Sequence, residues 1–428
     1  MQNISFSQRQ MNRLKSIIKR VRSSKDAHRV FANFSYLSLL QMAGYVIPLI
    51  TYPYLAKVIG VEGFGHVAFA MSLIVYFMTI TDWGFNYTAT RDVARCAEDK
   101  DAISNIYSRV LTSKLLLLLF SVIVLAILLL LIPYFRDNSM IIIYAFIAVV
   151  GYTLFPEWLF QGIENMKVMV LLNLLSKTVF TMSVFLIIKR PSDYLYQPLI
   201  FGIGYLLAGI IALVYVRYRL CVKFKICGVK EAWMCIKMSF DVFLNNLMPN
   251  LYNSFSVLLL GFYGGSVSNG ILDGATKFYT AFAQFLTVLG RAFFPYLSRK
   301  VEKHNYFDAI KKLLTIIFSA VLVFGAKTLV LGVLGAEFEQ SVYVLQILGC
   351  SLLFHSITNI FGTNYLIIIG KEKLLRQITL ICSLIGFIIA FPLIYLFDYL
   401  GAAITIAAAR VITGVSVYVA AKQIQKTR

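Results

Sequence analysis

Residues Val110 to Ile132 read VLTSKLLLLLFSVIVLAILLLLI, with Lys114 the one charge in the run. A hydrocarbon layer of ~30 Å takes about 20 apolar residues in a helix. This segment is long enough, and it lacks the polar face that a surface helix of a water-soluble domain carries. Similar runs recur along the chain. Candidate spans lie at 30–54, 64–85, 110–132, 140–160, 168–188, 197–215, 232–262, 278–297, 313–333, 342–369, 377–397 and 399–420. Pro48 and Pro53 interrupt the first, and Pro249 marks the seventh as bent. Hydrophobic residues make up 59% of the chain and charged residues 14%, against roughly 45–50% and about 25% in soluble domains. Mean hydropathy is +0.77. Backbone groups in lipid must be satisfied within the segment, so the reading is an all-α integral membrane protein of about 12 transmembrane helices.

The formal net charge of +20 would suggest nucleic acid if the basic residues formed one patch. They fall instead in short clusters between apolar runs, the pattern of loops held against anionic lipid. On the side that holds both termini of a twelve-span chain there are 29 Lys and Arg, against 5 on the other. That split predicts cytoplasmic termini. The five opposite residues are Lys57, Arg136, Lys189, Arg190 and Lys277. The boundaries that follow are a basic cytoplasmic segment 1–29, a six-helix bundle 30–215, a basic linker 216–231, a second bundle 232–420 and a tail 421–428.

Most enzyme classes find no room in this pattern. The loops are short, no GxxxxGK[ST] stretch occurs, and the four histidines and six cysteines show no metal-ligand spacing. Neither a catalytic site nor a bound metal or cofactor is expected. A weak repeat is legible: GVEGFGHVAFA runs from Gly60 to Ala70 and GGSVSNGILDGA from Gly264 to Ala275, so that Gly65 and Ala70 fall on Gly270 and Ala275 at an offset of 205. Because each half holds six spans, such a repeat is parallel, related by an axis along the membrane normal.

Four stretches carry a resemblance. They are PLITYPYLAKVIGVEGFGHVAFAMSLIVYF from Pro48 to Phe77, DWGFNYTATRDVA from Asp82 to Ala94, PEWLFQGIEN from Pro156 to Asn165, and RAFFPYLSR from Arg291 to Arg299. With them the chain resembles the polysaccharide-transport branch of the multidrug, oligosaccharidyl-lipid and polysaccharide exporter superfamily, and within it the bacterial O-antigen flippases. The resemblance implies a V-shaped pair of six-helix bundles around a cavity that opens alternately to either face. It implies an undecaprenyl-diphosphate-linked repeat unit as substrate, carried across the bacterial inner membrane while its tail stays in lipid. It also implies a polysaccharide polymerase and a chain-length regulator as partners, and coupling to a proton or sodium gradient as proposed for relatives. A cation-coupled multidrug exporter of the same superfamily is the alternative.

Ionisable residues at depth point to the working surface, because charge facing hydrocarbon is costly. Lys177 and Arg410 fall near the middle of the fifth and twelfth spans, either in an anion-contacting cavity or in structural pairs. Arg291 could join the same cavity. Asn245, Asn246 and Asn359 suit sugar hydroxyls or interhelical hydrogen bonds equally. Asp82, Lys114 and Glu157 share a depth near the cytoplasmic ends of their spans, as a gating or coupling network or as interface anchors. Lys237 and Asp241, at i and i+4, read as a local ion pair. Tyr76, Trp83, Tyr87 and Trp158 are sugar platforms or members of the aromatic belt.

Overall fold

The computed structural model describes residues 25–299, 304–367 and 369–426. Among them the regular structure is helical, with no strand. Seven helices are long and apolar enough to cross a membrane, or eight when the pair Lys311–Phe324 and Ala326–Val333, bent by 65°, is taken as one span. The quoted run lies in the helix Lys100–Leu131, whose most apolar window is only 22% buried. Leu119, Phe120, Ile123, Leu130 and Leu131 are exposed on it. That surface would be an aggregation liability in water and is the expected one against lipid.

The breaks between helices have local causes. Lys25–Asp82 is kinked at Gly60, whose φ of 65° is readily available only without a Cβ. Glu372–Lys426 breaks at Asp398, a non-glycine residue at φ 52° held by the Ser268 hydroxyl, which donates to its carboxylate at 2.6 Å. Such a backbone costs about 1–3 kcal/mol and persists only where the surroundings fix it. The fourth expected span is split at Pro156 into Ser139–Leu154 and Glu157–Gly162. The seventh is two helices, Val229–Leu247 and Ser254–Tyr263, joined by a tight turn through Pro249. Side chains cap carbonyls at this turn. Asn253 Nδ2 donates to Pro249 O at 3.0 Å, and the Tyr76 hydroxyl donates to Asn250 O at 2.7 Å.

The eighth expected span corrects the sequence reading. Its helix begins at Gly265 and runs to Arg299. Lys277, expected in a connection on the opposite side, is therefore some 18 Å along a helix at 1.5 Å per residue. Lys311, expected in a loop, is buried in the helix His304–Phe324. The local Lys237–Asp241 pair does not form either: Asp241 faces Arg376 Nη1 at 4.0 Å.

The first and second halves of the chain meet at both ends of the bundle. At one end the arm beginning after Gly60 crosses Gly265–Arg299 backbone to backbone. A methyl group on Gly65 would overlap the Ser266 carbonyl, and one on Gly270 would overlap the Val61 carbonyl. The same offset of 205 that pairs Gly65 with Gly270 pairs Val61 with Ser266, so the two contacts exchange under the sequence repeat. Gly60 and Gly265 are likewise paired, and both have left-handed φ, 65° and 77°. A two-fold crossing of this kind makes each glycine the counterpart of the other.

The segment joining the halves is a strap. From Val222 to Gly228 it runs without helix or strand along Lys100–Leu131. The amides of Lys223, Lys225 and Cys227 donate to the hydroxyls of Ser104, Ser108 and Thr112 at 3.1, 3.0 and 3.4 Å. Alternate residues of an extended chain advance ~6.6 Å and every fourth residue of a helix ~6.0 Å, so the two periods nearly match over three steps. Val222 is buried, and Phe224 meets the Tyr107 ring edge to face at 6.2 Å.

Candidate functional site

Between the two ends lies a cavity of about 460 Å³. Lys177, from the helix Met166–Ile187, and Arg410, from the last helix, both line it. The chain positions that are most distant in sequence among its charged residues thus face one space. Asp273 and Lys277 complete the charged lining, which carries three cations against one carboxylate. Asn253, Gln197, Thr51 and Ser72 add neutral polar groups, and Tyr52, Phe180 and Phe201 add rings.

Arg410 is held entirely by neutral partners. Nη1 donates to Ser351 Oγ and Nη2 to Asn253 Oδ1, each at 3.4 Å, and the guanidinium carbon stands 4.0 Å from the centre of the Tyr279 ring. Among the described residues no carboxylate lies within ion-pair distance of it. The contacts fix the plane of the fork without neutralising it, leaving charge for an anion in the cavity. Lys177 makes no hydrogen bond or ion pair among the described residues, and its Nζ sits against Gly44, where a Cβ would come within 3.0 Å. Glycine there leaves room for the ammonium.

A second polar group lies within the first half of the chain. Asp82 and Lys114, 6% and 2% exposed, are within electrostatic reach of each other and of Glu157. Lys114 Nζ stands 5.4 Å from the centre of the Tyr152 ring, and the Tyr152 hydroxyl accepts from Asn86 Nδ2 at 3.2 Å. Glu157 accepts from Asn173 Nδ2 at 2.9 Å, whereas Asp82 Oδ1 has no hydrogen-bond partner among the described residues. One cation against two carboxylates leaves this cluster net negative, opposite in sign to the cavity. Asn173 and Lys177 are one helical turn apart, so one face of a single helix serves both groups, and Lys177 feels the Glu157 charge.

The remaining sequence-derived positions are dispersed. Asn245 and Asn246 lie on Val229–Leu247 outside the cavity lining, Asn245 being exposed. Asn359 is paired with His355 at 3.3 Å, also outside it. The side chain of Arg291 lies outside the described residues. Of the aromatic candidates, Trp158 is buried in a core, and Trp83 stacks on Phe243 at 3.9 Å. Sequence reasoning missed Asn253, Asp273 and Lys277. The i, i+4 spacing of Asp273 and Lys277 was a usable signal, hidden by starting the helix thirteen residues late.

Solved structures place the fold. An inward-facing multidrug resistance MATE family transporter of the MOP superfamily is similar with TM-score 0.60 and 17% identity, covering 92% of this chain and 98% of that one. The lipid II flippase MurJ, in an inward closed conformation, is similar with TM-score 0.71 and 15% identity over 90% of this chain and 87% of that one. Two relatives are nearer in sequence, both named "Putative O-antigen transporter". One from Escherichia coli (strain K12) is 31% identical over 385 residues, 88% of this chain and 92% of its own. One from Shigella dysenteriae is 31% identical over 389 residues, 87% and 95%. Residues 30–301 match the family described as "Polysaccharide biosynthesis protein", and with that match and these relatives the chain belongs to the polysaccharide biosynthesis protein family.

Proposed function

We propose that this protein moves an undecaprenyl-diphosphate-linked oligosaccharide from the cytoplasmic to the periplasmic leaflet of the bacterial inner membrane. The observation that carries the reading is the net positive cavity, with Lys177 from the first half and Arg410 from the second. A diphosphate entering a low-dielectric interior needs countercharge, and the two cations supply it from elements that can move relative to each other. A chamber for cationic drugs would call for the opposite balance, which disfavours the exporter alternative. The bundles would be 30–215 and 232–420, with 216–231 as the linker on the cytoplasmic side together with both termini. The polymerase and chain-length regulator would act on the product at the other face.

Alternating access then follows from the two ends. Opening the other end, where Trp83 of the first half stacks on Phe243 of the second, admits the sugar and diphosphate to the cavity, and opening the Gly65 crossing releases them, the tail remaining in lipid. The Asp82, Lys114 and Glu157 cluster is positioned to bias this exchange. Protonation of a carboxylate, or its screening by a sodium ion, would change the balance around Lys114 and, through Asn173, the setting of Lys177.

The test is transfer of a lipid-linked repeat unit in reconstituted vesicles, normalised to folded protein. Arg410→Gln and Lys177→Met should each slow transfer by roughly tenfold or more, with Arg410→Lys and Lys177→Arg milder because charge is kept. Wild-type rates in both neutral variants would sink the reading.

A further inference from the structure

Lys277 and Asp273 sit one turn apart on the helix Gly265–Arg299, with Nζ 3.0 Å from Oδ1. Both are largely sheltered, and the ammonium also stands 4.9 Å from the centre of the Tyr52 ring. Lys277 has a position that neither Lys177 nor Arg410 shares. A second cavity of about 340 Å³ adjoins the first, the two having Gly44, Tyr52, Thr276 and Lys277 in common. Away from Lys277 its walls are mainly apolar: Pro53, Phe278, Ala281, Val333 and Leu334. Lys277 therefore stands at the seam between a cation-lined space and an apolar one.

On the reading above, which this inference rests on, the substrate has a matching seam. Its diphosphate is the junction between an apolar tail and a polar oligosaccharide. We propose that Lys277 is the residue that positions the diphosphate at this junction, and that Asp273 is a built-in competitor holding the ammonium until a diphosphate displaces it. The exchange trades one carboxylate contact for contacts to a more highly charged group and leaves the sheltered Asp273 carboxylate without its cation, a cost the incoming anion has to exceed. The competitor also confers selectivity. An anion with less charge, such as a monophosphate, gains less from Lys277 than it loses in parting the pair, whereas a diphosphate gains more. Tyr52 keeps the ammonium at the seam in both states through its ring face.

Binding of farnesyl diphosphate to the purified full-length protein in detergent reads this directly, with farnesyl monophosphate and inorganic pyrophosphate as comparison probes. Asp273→Asn should tighten farnesyl diphosphate by about tenfold and narrow its advantage over the monophosphate. Lys277→Gln should weaken it, and the double variant should match Lys277→Gln, since the competitor matters only through the ammonium. Lys277→Arg should retain most of the affinity, and Lys277→Gln in the wild-type background gives an independent readout should Asp273→Asn fail to fold. If Asp273→Asn and Lys277→Gln both leave farnesyl diphosphate affinity unchanged while Arg410→Gln weakens it, the proposal falls and the cavity reading stands. If pyrophosphate binds as tightly as farnesyl diphosphate, the seam has no role and the proposal also falls. If wild type binds no diphosphate and Arg410→Gln changes nothing, the cavity reading fails, and this inference with it.

Discussion

The two ends of the bundle join the same pair of chain halves by different means. At the Gly65 end the contact is main chain against main chain, between glycine and the Ser266 and Val61 carbonyls. At the Trp83 end it is made mainly by side chains, with Gly84 also seated against the Val242 side chain. The Trp83 ring stacks on Phe243 within 9° of parallel, its Nε1 donates to Ile236 O at 2.9 Å, and the Thr88 and Ser239 hydroxyls meet at 2.8 Å. Trp83 and Gly84 both take positive φ, 46° and 79°, which ends the helix and turns the indole onto its partner. A glycine crossing has no slack, because the smallest added group collides with backbone that cannot rotate away. A side-chain contact can be weakened in steps. The first kind of joint suits a seal that is either made or broken, and the second suits one of adjustable strength.

Glycine replacement should give the largest effect. Gly65→Ala or Gly270→Ala puts a methyl into the opposing carbonyl, and overpacking of this kind costs about 1–3 kcal/mol, or ~5–150-fold in the ratio of closed to open forms at that end. Spin-label distances across the crossing should lengthen in both variants, and by similar amounts because the residues are counterparts. A lengthening confined to one of them would break the two-fold reading of the crossing. Unchanged distances in both would remove the glycines from the joint altogether.

How far the sequence carried the argument differs between these ends. The offset of 205 was readable because the crossing needs glycine at fixed positions, and that requirement leaves a pattern. The membrane class and most helix positions were readable because lipid demands long apolar runs. Lys177 and Arg410 stood out because each is a lone charge in such a run. The polar lining contributed by Gly265–Arg299 and by Asn253, just past the Pro249 turn, was not readable in the same way. Gly265–Arg299 trades hydropathy for polar residues and is not among the described helices apolar enough to cross a membrane. A residue like Asn253 declares its neighbours only once the Pro249 turn aims it at Arg410. The setting of Trp83 was hidden for a related reason: whether it faces sugar, lipid or Phe243 depends on two backbone angles that composition does not encode.

Trp83→Phe sharpens the comparison at the other end. The ring stack survives and only the bond from Nε1 to Ile236 O is lost, about 1 kcal/mol. The open fraction at the Trp83 end should rise roughly fivefold, and distances at the Gly65 crossing should follow only as far as the two ends are coupled. Trp83→Ala removes the stack as well and should act more strongly. A Trp83→Phe variant as disruptive as Gly65→Ala would mean that the side-chain joint is not graded.

The smallest effect is expected at the strap, which ties the second half of the chain to the first without sealing anything. Ser108 accepts the Lys225 amide at 3.0 Å while donating to Ser104 O at 2.7 Å, and the strap amide is close to solvent. Ser108→Ala removes one acceptor, water replaces part of it, and the cost is about 0.5–1 kcal/mol. Hydrogen exchange at the Lys225 amide should quicken by roughly two- to fivefold, with Lys223 and Cys227 less affected because Ser104 and Thr112 still accept from them. Replacing all three hydroxyl residues by alanine should free the whole segment up to Gly228 while leaving the Gly65 distances in place. Exchange at Lys225 that is unaltered by Ser108→Ala would show that burial of Val222 and the contact of Phe224 with Tyr107 hold the strap, and that the matched spacing of hydroxyls and amides contributes nothing measurable.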